Sequence, residues 1–232
     1  MTLLLIHGAA NSAGVWVLWQ RELEARGLRT EAVDLPGHGS RVGTSLSKVS
    51  MDDYATDVVR MATSLEERPV VMGWSMGGLV ALMVAAGGAA RACIALAPSM
   101  PARQVDASLP LREGEFGPDE YGIVNADPAD QPSMPDLNME ERAIALASLS
   151  RESRYARDER ARGIVIESLP CPLLLVTGEA DTQWPAERYR ELWLPAERLV
   201  APGASHWGLV LSGRTLGMLA STIIEWVERT PG

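Results

Sequence analysis

Ser75 sits in the run Gly73-Trp74-Ser75-Met76-Gly77, after the apolar stretch 69–72 and before the small-residue stretch 78–86. A serine at such a strand-to-helix turn is held in a strained backbone conformation, costing ~1–3 kcal/mol, which lifts its hydroxyl out of the sheet. Glycines on either side let strand and helix pass closely. A hydroxyl alone is a weak nucleophile. It needs a base, the base needs an orienting carboxylate, and the anionic intermediate needs hydrogen-bond donors. Without those partners the run is an ordinary glycine-rich turn.

Ligands of open α/β sheets gather beyond the carboxyl ends of the strands, so polar residues just past apolar runs are the first candidates. Gly178-Glu179-Ala180-Asp181 follows one late run, and Pro202-Gly203-Ala204-Ser205-His206-Trp207-Gly208 follows the next. With Ser75 they give the chain order nucleophile, acid, base. The interval from Asp181 to His206, 206 − 181 = 25 residues, has room for one helix and one strand. Glu179 competes with Asp181 for the acid role, and a strand-end turn of this length favours the later position.

The elements that must position these groups follow from periodicity. Apolar runs at 2–6, 30–34, 69–72, 92–96, 172–177 and 198–200 alternate with helix-period stretches, which predicts a mostly parallel sheet with helices on both faces. A helix is expected from Val15 to the stop at Gly27. Another opens at the capping box Ser50-Met51-Asp52-Asp53 and runs toward Glu67, and a third covers 214–229 with Leu216, Leu219, Ile223 and Trp226 on one face. Between 98 and 169 the pattern breaks into a proline- and glycine-rich half and a charged, helical half from Met139 to Gly163. This predicts a core of residues 1–97 and 170–232 with an inserted cap at 98–169. Most of the cap's charges are expected on solvated helix faces.

Composition excludes other classes. A net charge of -9 and no basic run argue against a nucleic-acid partner. Cys93 and Cys171 lie in or beside apolar runs and read as small hydrophobes. No zinc spacing and no phosphate-binding glycine loop occur, so no metal or cofactor is expected. The start of the chain has no basic leader and too short an apolar run for a signal peptide or a membrane span, which makes the cytoplasm the expected location and excludes a membrane partner.

Together, Ile6-His7-Gly8-Ala9, Asp34-Leu35-Pro36-Gly37-His38-Gly39, the turn around Ser75, the 178–181 turn and His206 resemble the α/β-hydrolase superfamily over nearly the full chain. His-Gly-Ala with Trp16 shortly beyond is most similar to the small esterase and hydroxynitrile-lyase branch typified by plant methylesterases. The first apolar run already bears His-Gly, without the leading hairpin of many members, which puts the 30–34 strand at a sheet edge. The resemblance implies Ser75 as nucleophile, His206 as base and later acid, Asp181 as its orienter, and the backbone N–H groups of Ala9 and Met76 as an oxyanion hole. It gives His38 a structural role in its own loop and His7 a role in supporting the oxyanion loop. Met76 also qualifies independently, since it follows the nucleophile at the positive end of a helix.

The chemistry expected is hydrolysis of a small to medium carboxylic ester through an acyl-enzyme. Alternatives are the same triad on a thioester, a lactone or a C–C bond, and a ligand receptor without turnover. Lyase branches employ a pocket lysine, and Lys48, the only lysine, is far from every strand-end motif. Trp74 and Trp207 are expected to line the substrate pocket, with Trp16 and Met76 as further candidates, whereas Trp184 and Trp193 read as core or surface residues. The oligomeric state is left open.

Overall fold

A computed structural model describes residues 1–230 of the chain. Along it run β1 (Thr2–Ile6), α1 (Val17–Glu24), β2 (Arg29–Val33), α2 (Met51–Ser64), β3 (Val70–Trp74), α3 (Met76–Ala86) and β4 (Ala92–Leu96). The insertion carries β5 (Glu115–Phe116), α4 (Met139–Ala147), β6 (Glu152–Ser153) and α5 (Arg154–Arg162), and the chain continues with β7 (Leu173–Gly178), β8 (Glu197–Ala201), α6 (Gly208–Leu211) and α7 (Gly213–Arg229). Six strands form one sheet in the order β2-β1-β3-β4-β7-β8, and every pairing in it is parallel. β2 is an edge, as expected.

Alternation along the strands builds two cores. Leu3, Leu5, Met72 and Ile94 face Trp19, Leu219 and Trp226, while Leu4, Ile6, Val71 and Cys93 face Val58, Leu79 and Val84. Because both faces are covered, the central strands read as unbroken apolar runs instead of alternating ones. Cys93 and Cys171 are both free thiols.

Helix boundaries follow local chemistry. Ser50 accepts from the Asp53 N–H at 3.0 Å while Asp53 accepts from the Ser50 N–H at 2.9 Å, a reciprocal cap worth ~1 kcal/mol. α2 stops at Ser64 and does not reach Glu67. The expected helix from Val15 opens with a tight turn at Ala13–Trp16 before becoming α1, and Gly27 follows it at φ 84°.

In the insertion, the proline-rich first half is irregular apart from a tight helical turn at Pro118–Tyr121 and β5, which pairs antiparallel with β6. Two charges of the second half depart from the solvated pattern: Glu152 is wholly buried, and Asp158 is nearly so. Each has a reason. Asp158 receives the Arg112 guanidinium at 2.7 Å, and Glu152 is saturated by donors described below. Among the described residues no helix is long and apolar enough to cross a membrane.

Candidate active site

β3 delivers Ser75 to the carboxyl edge of the sheet, where it adopts φ 56° and ψ −119° as the residue preceding α3. That conformation is rare for a side chain with a Cβ and is held by neighbours on every side. The Ser75 N–H donates to the Leu96 carbonyl at 2.9 Å, and the Ser75 carbonyl accepts from the Ser99 N–H at 2.9 Å. A Cβ on Gly73 would strike the Gly77 carbonyl, and one on Gly77 would strike the carbonyl oxygens of Ile6 and His7. From 69 to 82 every residue is buried except Ser75. The N–H groups of Ala9 and Met76 have no hydrogen-bond acceptor among the described residues.

Asp181, three residues past the end of β7, places Oδ2 at 2.7 Å from Nδ1 of His206. Its other oxygen accepts from the N–H groups of Gln183 and Trp184 at 2.9 and 2.8 Å. Burial pushes the Asp181 carboxyl up, but the imidazole and these two amides outweigh it and hold the group below the usual carboxylate range. Nδ1–H is thereby committed, which leaves Nε2 for chemistry. The contact to Asp181 is the only hydrogen bond of the His206 ring among the described residues, so the Ser75 hydroxyl is not bonded to it in this state. Glu179 instead accepts from the Gly203 N–H at 2.8 Å and braces the neighbouring turn.

Ser75, His206, Ala9, Trp74 and Trp207 all line one cavity of about 100 Å³. Trp74 does more than line it. Its Nε1–H donates to the His206 carbonyl at 3.1 Å and its ring lies 5.0 Å from the imidazole. Gly8 leaves room for that ring, since a Cβ there would meet it at 2.7 Å. Trp16 and Met76 are buried in the two cores and do not line the cavity. Trp184 does, contrary to expectation, because its backbone is drawn in by Asp181. Trp193 donates to the Ile166 carbonyl at 2.9 Å, away from the cavity. Lys48 pairs with Glu113 on the surface.

The other two histidines are structural in their contacts. His7 lies within hydrogen-bonding distance of the Gly8 carbonyl (Nδ1, 2.8 Å) and accepts from the Leu35 N–H at 3.2 Å through Nε2, which fixes the neutral form with the proton on Nδ1. Burial, then the nearby His38, push its pKa down to about 3. His38 lies 3.5 Å from Glu152, an ion-pair contact, and although burial opposes its charge the carboxylate raises its pKa.

Two acids of the insertion brace the loops carrying these groups, and sequence reasoning missed both. Glu152 accepts from the Ala10 N–H at 3.0 Å, the Tyr54 hydroxyl at 2.7 Å and the Ser153 N–H at 2.8 Å. Burial acts to raise its pKa, but His38, Arg160 and Tyr54 overcome this and bring it to about 2. Asp136 accepts from the Ser205 N–H at 2.9 Å and from the Ser205 hydroxyl, holding the loop that leads into His206. Nothing in local sequence separates Glu152 from the arginine- and glutamate-rich stretch around it. A carboxylate spaced to meet a backbone N–H 142 residues away leaves no periodic trace.

Residues 3–213 match the model of the alpha/beta hydrolase family. Methylesterase 3 of Arabidopsis thaliana is 37% identical over 79 residues, 33% of this chain and 30% of that protein. A pyrethroid hydrolase of Sphingobium wenxiniae is 38% identical over 76 residues, 33% of this chain and 27% of that protein. These matched stretches thus span less than a third of the relatives' length. Among solved structures, a methylesterase from Arabidopsis superposes with a TM-score of 0.74 at 19% identity, covering 98% of this chain and 99% of that one, which is a likeness of fold.

Proposed function

Because the chain belongs to the alpha/beta hydrolase family, we propose that it hydrolyses a small carboxylic ester through Ser75, His206 and Asp181, with residues 98–169 as the cap over the site. The observation carrying this reading is the 2.7 Å contact between Asp181 and His206 at the wall of the cavity that also holds the strained Ser75. The names of the partial relatives, a methylesterase and a pyrethroid hydrolase, support it.

In the reaction, Ser75 Oγ turns toward Nε2 of His206 as substrate enters; such bonds are commonly long or unformed before binding. Oγ then attacks the ester carbonyl while Nε2 takes its proton. The resulting oxyanion is received by the free N–H groups of Ala9 and Met76, each worth ~3–4 kcal/mol in the transition state. Asp181 stabilises the imidazolium and keeps its proton on Nδ1. His206 returns the other proton to the leaving alcohol. Water, activated by the same nitrogen, then releases the acid.

A fluorophosphonate, which traps an activated serine, tests the assignment. One adduct mapping by peptide mass to Ser75 is expected, and an adduct elsewhere, or none, would overturn the reading.

A further inference from the structure

Arg160 is, among the described residues, the one arginine of the insertion that lines the cavity; Arg103, Arg142 and Arg162 also lack a carboxylate partner but rest on the Trp193 ring or on backbone carbonyls. Arg112 pairs with Asp158, Arg151 with Glu115, and both Arg154 and Arg157 with Glu120. The Arg160 guanidinium has no carboxylate within ion-pair distance among the described residues. It donates to two neutral groups, the Tyr121 hydroxyl at 2.9 Å and the Ser99 hydroxyl at 3.4 Å, and its buried Nε–H has no partner. Glu152, the buried acid whose charge acts on Arg160, already accepts from Ala10, Tyr54 and Ser153 and faces His38.

This cation lines the same cavity as Ser75 and His206, and no acidic side chain lines that cavity. It is also close to the nucleophile, because Ser99 takes the guanidinium on its hydroxyl while its N–H donates to the Ser75 carbonyl at 2.9 Å. Holding a half-buried charge with no hydrogen-bonded counterion is costly. A planar guanidinium with free donors is suited to a carboxylate, which it holds through paired, charge-assisted hydrogen bonds.

We propose that Arg160 receives a carboxylate carried by the substrate, so that the cavity prefers esters bearing an anionic group to their neutral counterparts. This rests on the ester-hydrolase reading for the reaction but not for the binding. It names the substrate class as the half-esters of short dicarboxylic acids or the O-acyl esters of short hydroxy acids.

The test is calorimetric binding to Ser75→Ala protein, which does not consume the ligand. Monomethyl and dimethyl esters of succinate, glutarate and adipate form one arm, and acetoxyacetate with its methyl ester forms the other. In at least one pair the charged ester is expected to bind about tenfold tighter or more, and that ratio should fall to near one when Arg160→Gln is added. Equal affinity of charged and neutral esters in both arms would overturn the proposal, as would a ratio unchanged by Arg160→Gln. The arm with the larger ratio tells whether the carboxylate belongs to the acyl or the alcohol half.

A second measurement needs no Arg160 variant. Glutarate and glutaramide are compared as inhibitors of p-nitrophenyl acetate hydrolysis by the wild type, and stronger inhibition by the diacid is expected, whereas equal inhibition would count against the site. Failures of the two readings are separable. Turnover of charged and neutral esters at equal efficiency removes the carboxylate site alone. Charge-selective binding without turnover of any ester removes the hydrolase reading alone.

Discussion

Asp181 grips His206 with one oxygen and its own turn with the other: Oδ2 lies 2.7 Å from Nδ1, while Oδ1 accepts the Gln183 and Trp184 amides. The carboxylate is thus fixed before it fixes the ring, and Trp184 is brought to the cavity wall by the same contact.

Asp181→Asn keeps the size of the side chain but removes the charge that stabilises the imidazolium and permits the wrong tautomer. A loss of about 10⁴-fold in kcat is expected, with little change in KM. Steady-state kinetics on a p-nitrophenyl ester checks it, and a loss of only a few fold would show that the imidazole is oriented by something else.

Glu152→Ala should damage stability and turnover together. The substitution strands the Tyr54 hydroxyl and the Ala10 N–H and leaves His38 without its counterion, a buried loss of about 3 kcal/mol or more. Because Ala10 adjoins the proposed oxyanion donor Ala9, kcat should fall as well. Urea unfolding and kcat measured on the same preparation test this; unchanged midpoint and rate would contradict the bracing role.

Acid should destabilise the fold from near neutrality downward. His7 is held neutral with its pKa pushed to about 3, so between the ordinary histidine value of 6.5 and 3 the unfolded chain binds a proton that the folded one refuses. Stability is therefore present above 6.5 and lost as pH falls. Glu152, at about 2 instead of 4.5, adds a loss below 4.5. His38 acts oppositely: its raised pKa gives stability that is full below 6.5 and lost as pH rises through the folded value. Urea midpoints against pH should pass through a maximum near neutrality, and His7→Gln should flatten the acid limb between 6.5 and 3.

Gly77→Ala should be more harmful than a surface glycine change, because the added Cβ lands on the Ile6 and His7 carbonyl oxygens, which are rigid backbone. Relieving that clash requires parting α3 from β1, at a cost of ~1–3 kcal/mol or more, and should misplace Ser75. Gly88→Ala is the comparison: its positive φ carries a strain cost, but a Cβ there meets nothing. Thermal unfolding of both variants decides the matter.

The sheet was legible because its strands are buried on both faces, and each apolar run became a strand within a few residues. The 178–181 and 202–208 turns were legible because strand ends fix where polar residues can serve a ligand. Trp184, Glu152, Asp136 and Arg160 were not. Their positions depend on how the irregular 98–138 segment and the short helices α4 and α5 fold back over the sheet. That path is set by single long-range hydrogen bonds, such as Asp136 to Ser205 and Glu152 to Ala10. Neither repeats, and neither follows from the charge of a residue alone.

Initial rates of p-nitrophenyl ester hydrolysis, over graded acyl lengths, should be compared for wild type and Ser75→Ala in parallel. A fall in kcat of about 10⁴-fold or more on every ester turned over by the wild type is expected. Equal rates in the two proteins would show that the Ser75 hydroxyl is not the nucleophile.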